Sequence, residues 1–214
     1  MTRFNSVVFD VDSTLSGIEG IDWLAMQRGK DVAAWSAALT DRAMRGEIPI
    51  EAVYGERMRA VRPTLSEIER LGQEYVVRVA PQAEETLTAL KAAKVRIVMV
   101  SGGLREAILP LAANLGVDEE LVFAVSVFFD DRGSYKGFDE ASPLTRQTGK
   151  KTTVSGLGLK EPVLAVGDGM TDCEMKSVVD SFAAFTGFTR REPVIARADF
   201  VIENFDQLRE LVLQ

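Results

Sequence analysis

The sequence has no histidine, and its only cysteine is Cys173. Without imidazole there is no Ser-His-Asp triad, no HExxH zinc site, no haem-type ligation and no phosphohistidine chemistry. A lone cysteine excludes an intrachain disulfide and a cysteine metal cluster. A cysteine-phosphatase loop would need Arg where Val179 stands. No apolar run reaches the ~18 residues of a membrane span. The opening Met1-Thr2-Arg3-Phe4-Asn5 lacks the apolar core of a signal segment. A reducing cytoplasm is the expected address. Positive charge is in deficit: 25 Lys and Arg stand against 32 Asp and Glu, for a net charge of −7. Such a surface repels nucleic-acid backbones and acidic lipid, so the expected partner is a small molecule, with neither nucleic acid nor membrane involved. Any catalysis must rest on carboxylates, lysine, arginine, hydroxyls, backbone amides or a hard metal.

What is present reads as a globular chain of 214 residues, 46% hydrophobic and 27% charged. The length suits one core with a modest insert. Ser6 to Phe9, Val95 to Val100 and Pro162 to Val166 are continuous apolar runs, ending at Asp10, Ser101 and Gly167-Asp168-Gly169. Phe182 to Phe185 and Phe200 to Ile202 are two more. Each precedes helical spacing, which predicts buried parallel strands with crossover helices. Pro110 is expected to kink or divide the helix after the second run. Val122 to Phe129 is read as a strand entering a hairpin at Asp130 to Ser134.

Residues 17–79 differ. Their apolar positions fall at helical spacing: Ile18, Ile21 and Ala25; Val32, Trp35 and Leu39; then Ile50 to Val61. Thr64-Leu65-Ser66-Glu67 is a capping-box pattern opening another helix. The expected architecture is α/β: a Rossmann-like parallel-sheet core, residues 1–16 and 80–214, with an inserted all-helical cap, residues 17–79. Joints are expected near Ser16-Gly17 and Ala80-Pro81, and Trp23, Trp35, Cys173 and the phenylalanines are read as packing.

In open parallel sheets, ligands sit off the carboxyl ends of the strands. Asp10-Val11-Asp12-Ser13-Thr14 and Gly167-Asp168-Gly169-Met170-Thr171-Asp172 both stand there. Read alone, one Asp-x-Asp is a turn; two acidic groups at one mouth are more. Two like charges ~4 Å apart cost about 4 kcal/mol at an effective dielectric near 20. Protons or a cation must offset that, and an all-oxygen donor set points to Mg²⁺. Ser101-Gly102-Gly103 is either an ordinary helix cap or an anion seat made of a hydroxyl and free amides. Lys150 and Lys151 follow Gly149, and no Walker loop or GxGxxG is present.

This ordered set resembles the haloacid dehalogenase superfamily of phosphatases and phosphotransferases. Asp10-x-Asp12-x-Thr14 is similar to its first motif, Ser101 to its second, Lys150 to its third and Gly167-Asp168-Gly169-x-x-Asp172 to its fourth. Within it, Glu19-Gly20-Ile21-Asp22, Met44, Arg57 and Gly137-Phe138-Asp139 resemble the phosphoserine-hydrolysing branch. The resemblance implies a Mg²⁺-dependent phosphoserine phosphatase with Asp10 as nucleophile, passing through an aspartyl phosphate, and Asp12 as general acid and base. It implies metal ligation by Asp10, Asp168 and the main-chain carbonyl of Asp12, with Asp172 holding a metal-bound water or positioning Lys150. Ser101, Gly102, Lys150 and Thr171 would bind phosphoryl oxygens; spacing from Gly149 favours Lys150 over Lys151. Glu19 would take the substrate ammonium and Arg57 its carboxylate, with Met44 as an apolar wall. Another small phosphate monoester, an acceptor alcohol in place of water, or a phosphate-binding module without turnover are the alternatives. The oligomeric state stays open between monomer and homodimer.

Overall fold

A computed structural model of the chain describes residues 2–214. The chain begins with β1 (Ser6–Phe9), then α1 (Gly20–Met26), α2 (Lys30–Met44), α3 (Tyr54–Val61), α4 (Leu65–Val77) and α5 (Ala83–Ala92). It continues through β2 (Arg96–Leu104), α6 (Arg105–Asn114), β3 (Val122–Val125), β4 (Val127–Phe129), β5 (Tyr135–Phe138) and α7 (Gly149–Ser155). It ends with β6 (Val163–Gly167), α8 (Met170–Cys173), β7 (Ser181–Phe185), α9 (Glu192–Ile195), β8 (Phe200–Ile202) and α10 (Phe205–Val212). Among the described residues, no helix is long and apolar enough to cross a membrane.

Six strands form one parallel sheet in the order β3-β2-β1-β6-β7-β8. This is the expected α/β architecture. Every residue of β1 and β6 is buried, because helices cover both faces of the central strands. That is why those segments read as unbroken apolar runs instead of alternating ones. The adjacent ends of β1 and β6 carry Asp10 and Asp168 to the same edge.

Three local expectations change. β2 does not stop at Ser101; it continues irregularly to Leu104, with its register against β3 shifting between Val100 and Leu104. Ser101 therefore sits in a distorted strand end, and the N-cap of α6 is Leu104. The run Val122 to Phe129 splits at Ser126: β3 joins the parallel sheet, while β4 pairs antiparallel with β5. Glu106 accepts the Val127 N–H at 3.0 Å, holding the chain where it leaves the sheet. Pro110 does not divide α6. Its ring fills the space left by Gly72 of α4, where a Cβ would lie 2.9 Å from Pro110 Cγ.

Between β1 and α5 lie α1 to α4 and a short turn of 3-10 helix at Ile50–Ala52, with no strand of either sheet. The two chain crossings that bound this stretch run side by side. Gly17 N donates to Arg78 O at 2.9 Å and Ala80 N to Leu15 O at 2.9 Å. The capping box at Thr64 and Glu67 is formed, with both reciprocal bonds present. In α2 the expected inward stripe is displaced. Trp35 is 39% exposed, whereas Ser36, Thr40 and Ala43 are buried. Phe128 and Phe188 are also exposed, so they too depart from the packing role expected of the phenylalanines.

Candidate active site

Asp10 follows β1 directly, and its N–H still donates to Val166 O at 2.9 Å, so the sheet itself places the carboxylate. The chain then turns tightly: Thr14 N and Ser16 N both return to Val11 O. Ser13 takes a left-handed conformation at φ 53. Its hydroxyl donates to Glu19 Oε1 at 2.7 Å. The turn brings Asp12 round to α1, where Oδ1 accepts the Gly20 N–H at 3.2 Å. The same oxygen accepts the hydroxyl of Tyr75, from α4, at 2.5 Å.

Lys150, at the start of α7, is buried under this turn. Its ammonium donates to Asp10 Oδ1 at 2.5 Å and to Asp172 Oδ1 at 2.7 Å. Lys151 is partly exposed and makes no comparable bond among the described residues. Asp172 Oδ2 accepts Gly169 N at 2.9 Å, closing the loop after β6. Asp168 is paired with Arg191, whose guanidinium also reaches the Asp168 carbonyl. Glycines make this density possible. A Cβ at Gly167 would fall on the Asp172 carboxyl group, and one at Gly149 would fall on the Pro143 carbonyl.

A cavity opens above these groups. Asp10, Asp12, Ser101, Gly102, Lys150, Asp168 and Thr171 line its floor, and Glu19, Met44 and Arg57 line the side formed by residues 17–79. Ile21, Thr40, Ile50, Tyr54, Leu144 and Arg146 complete the wall. All the expected site residues except Asp172 thus border one space, with Asp172 lying wholly buried behind Lys150. Ser101 Oγ accepts Gly103 N at 2.9 Å. Thr171 Oγ1 is buried without a hydrogen-bond partner among the described residues. Met44 closes down on the fourth motif because Gly169 has no side chain; a Cβ there would lie 2.6 Å from Met44 Sδ.

Arg57 is buried in the wall, but not with both edges free. Nη2 donates to Asp22 Oδ1 at 2.9 Å and Nε to Ser36 Oγ at 3.1 Å, and Ser36 Oγ itself donates to Asp22. This network explains the rotation of α2. The helix turns its hydroxyl face inward to satisfy a buried charge pair, which costs more to leave unpaired than exposing part of Trp35.

Burial raises the pKa of Asp10 well above its ordinary value. The neighbouring Asp172 adds to the rise, and Lys150 opposes it. Burial also raises Asp12, against the lowering effect of the Tyr75 and Gly20 hydrogen bonds. Glu19 is pushed up to about 7, first by burial and then by the charge on Asp12. Burial works against the Lys150 ammonium, but Asp10 and Asp172 more than reverse this and hold its pKa above the usual lysine range. Tyr75 is raised by burial and by Asp12, so it remains a protonated donor.

Asp10, Asp168 and Asp172 each offer one carboxylate oxygen, all within 4.8 Å of one another. An all-oxygen set of this kind fits a hard divalent cation. Lys150 and Arg191 supply part of the countercharge that the sequence required of a cation. Tyr75, Arg191, Asp22 and Ser36 were not foreseen. Asp22 alone had a signal, as the last residue of Glu19-Gly20-Ile21-Asp22.

Known proteins resemble this chain in sequence and in fold. The family model for haloacid dehalogenase-like hydrolases matches residues 7–176. The chain is 37% identical over 210 residues to the chloroplastic phosphoserine phosphatase of Arabidopsis thaliana, covering 95% of this chain and 70% of that protein. It is 33% identical over 207 residues to phosphoserine phosphatase of Rattus norvegicus, covering 95% and 91%. The crystal structure of a phosphoserine phosphohydrolase-like protein from Francisella tularensis superposes with a TM-score of 0.89 at 27% identity, covering 98% of this chain and all of that one.

Proposed function

The chain belongs to the haloacid dehalogenase-like hydrolases and groups with their phosphoserine phosphatases, and on that premise we propose that it hydrolyses O-phospho-L-serine to L-serine and phosphate. One observation carries the reading. Asp10, Lys150 and Asp168 form the floor of a cavity whose upper wall presents one acid, Glu19, and one base, Arg57. Phosphoserine has a phosphate, an ammonium and a carboxylate, and this cavity offers a partner to each.

Asp10 is the nucleophile in this mechanism. Its carboxylate attacks phosphorus, the bond to the serine oxygen breaks, and an aspartyl phosphate results. Asp12 delivers a proton to the departing oxygen and then takes one from the water that hydrolyses the intermediate. Its raised pKa suits the first of these steps. Lys150 holds Asp10 in line and, with Ser101, Gly102 and Thr171, receives phosphoryl oxygens. Asp172 orients Lys150. Asp10, Asp168 and the main chain of Asp12 would hold Mg²⁺, with Asp172 close behind; the ion supplies positive charge that lets an anionic nucleophile approach an anionic phosphate. Glu19 binds the ammonium. Arg57 binds the carboxylate through Nη1, which has no hydrogen bond among the described residues, while Asp22 and Ser36 hold the rest of the guanidinium. Residues 17–79 act as a cap on a core formed by 1–16 and 80–214, moving about joints near Ser16-Gly17 and Ala80-Pro81, beside the paired crossings, to exclude water during attack. The buried, unpaired Cys173 suits a reducing compartment such as the cytoplasm.

Phosphate release from phosphoserine, phosphoethanolamine and phosphothreonine, with Mg²⁺ and with chelator, tests the proposal. The expected result is metal-dependent release with phosphoserine preferred. Equal rates on phosphoserine and phosphoethanolamine would remove Arg57 as carboxylate partner. No release from any of the three would favour a binding module.

A further inference from the structure

We propose that Tyr75 is the positioning residue of the proton donor Asp12. Its hydroxyl, delivered by α4, fixes one oxygen of that carboxyl group so that the other faces the leaving group. The inference rests on the hydrolysis proposed above and deepens it.

Tyr75 is completely buried, and its hydroxyl donates to Asp12 Oδ1 at 2.5 Å. Gly20 N donates to the same oxygen at 3.2 Å. Two donors converging on one oxygen fix the plane of the carboxyl group. Oδ2 takes no hydrogen bond from any described residue, and it lies beside Gly103, two residues from Ser101. A Cβ at Gly103 would stand 3.0 Å from Asp12 Oδ2 and 3.1 Å from Ser101 Oγ. A proton carried by the Asp12 carboxyl group is therefore directed to Oδ2, because Oδ1 is already occupied as an acceptor.

The placement of Tyr75 is built into both halves of the fold. Ser16 Oγ donates to the Tyr75 carbonyl at 2.9 Å, tying it to the crossing between them. Gly72, one turn earlier in α4, lets that helix approach Pro110 and Ala107 of α6 closely. Gly20 leaves the space that the Tyr75 hydroxyl occupies. The proton donor is thus completed only when α4 is seated on the core.

The balance of the step is simple. A bond forms from Asp10 to phosphorus, the bond from phosphorus to the serine oxygen breaks, and the electron pair goes to that oxygen. The oxygen takes the proton from Asp12 Oδ2. Asp12 is left as a carboxylate, whose new charge is stabilised by the Tyr75 hydroxyl and the Gly20 amide.

The test compares the full chain with Tyr75→Phe in Mg²⁺, reading kcat/KM for phosphoserine and for p-nitrophenyl phosphate. The parameter reports phosphoryl transfer to Asp10, and the nitrophenolate leaves without a proton. We expect a loss of about tenfold or more on phosphoserine and less than about threefold on the aryl ester, with Asp12→Asn showing the same split more strongly. Equal losses on both substrates, or no loss on phosphoserine, overturn the assignment. An unaltered chain that does not turn over phosphoserine removes the underlying reading and the inference with it, and this is seen before any variant is made. If Tyr75→Phe does not fold, Tyr75→Met fills much of the same space without a hydroxyl and is judged by the same ratio.

Discussion

Glu19 has two opposed consequences. Its carboxyl pKa of about 7 lies well above the ordinary glutamate value, because burial and Asp12 disfavour the charge. An acid whose pKa is raised by folding binds its proton more tightly when folded. It therefore weakens the fold above pH 7 and ceases to do so below its unfolded pKa near 4.5, a difference of roughly 3 kcal/mol at most. Ammonium binding needs the charged form. The KM for phosphoserine should therefore fall as pH rises through about 7, while an ester lacking an amino group shows no such limb. Glu19→Gln should remove that limb, raise KM, and raise the melting temperature at pH 8. A pH-independent KM in the parent would separate Glu19 from the ammonium. At this scale, the residues of the cavity floor were legible where they follow a strand or open a helix, as Asp10, Asp168 and Lys150 do, whereas Ser101 stands inside β2 and not at its end. Tyr75 and Arg191 were not. Tyr75 meets Asp12 across 63 residues and Arg191 meets Asp168 across 23, and neither has a local pattern that distinguishes it from a core aromatic or a surface arginine.

Secondary structure was legible wherever local chemistry decided it. The apolar runs of β1 and β6 follow from double-sided burial, and the start of α4 from its capping box. α2 was placed correctly but on the wrong face, because its inward stripe is set by a polar network and not by hydrophobicity. Ser36 bridges Asp22 and Arg57 from within it. Replacing Ser36 with Ala should cost about 1–3 kcal/mol, since a buried charge pair loses a partner. Trp35→Ser, on the exposed side, should stay within roughly 0.5 kcal/mol of the parent. Denaturant melts of the two variants decide this. The reverse order would mean that the apolar stripe is the packed face after all. The division of Val122 to Phe129 into β3 and β4 was hidden for a similar reason. An apolar run does not reveal that its two halves pair with different partners, one parallel and one antiparallel.

The whole molecule separates two tasks. In the proposed mechanism the sheet holds the phosphate chemistry at the ends of β1 and β6, while residues 17–79 present Glu19, Met44, Arg57 and Tyr75 from above. Beyond the crossings the two parts meet along the close approach of α4 to Pro110 and Ala107 of α6, and hydrogen bonds join them elsewhere. Leu65 N donates to Gly133 O at 2.9 Å, Gln147 N to Glu51 Oε2 at 2.7 Å, and Tyr54 Oη to Gly102 O at 2.9 Å. The central claim is that the phosphoryl group passes through Asp10, and acid quenching during turnover of phosphoserine tests it most directly. Peptide mass mapping should find the phosphoryl group on the segment containing Asp10, and Asp10→Asn should be folded, inactive and unlabelled. A label on any other residue, or near-normal turnover by Asp10→Asn, would contradict the account.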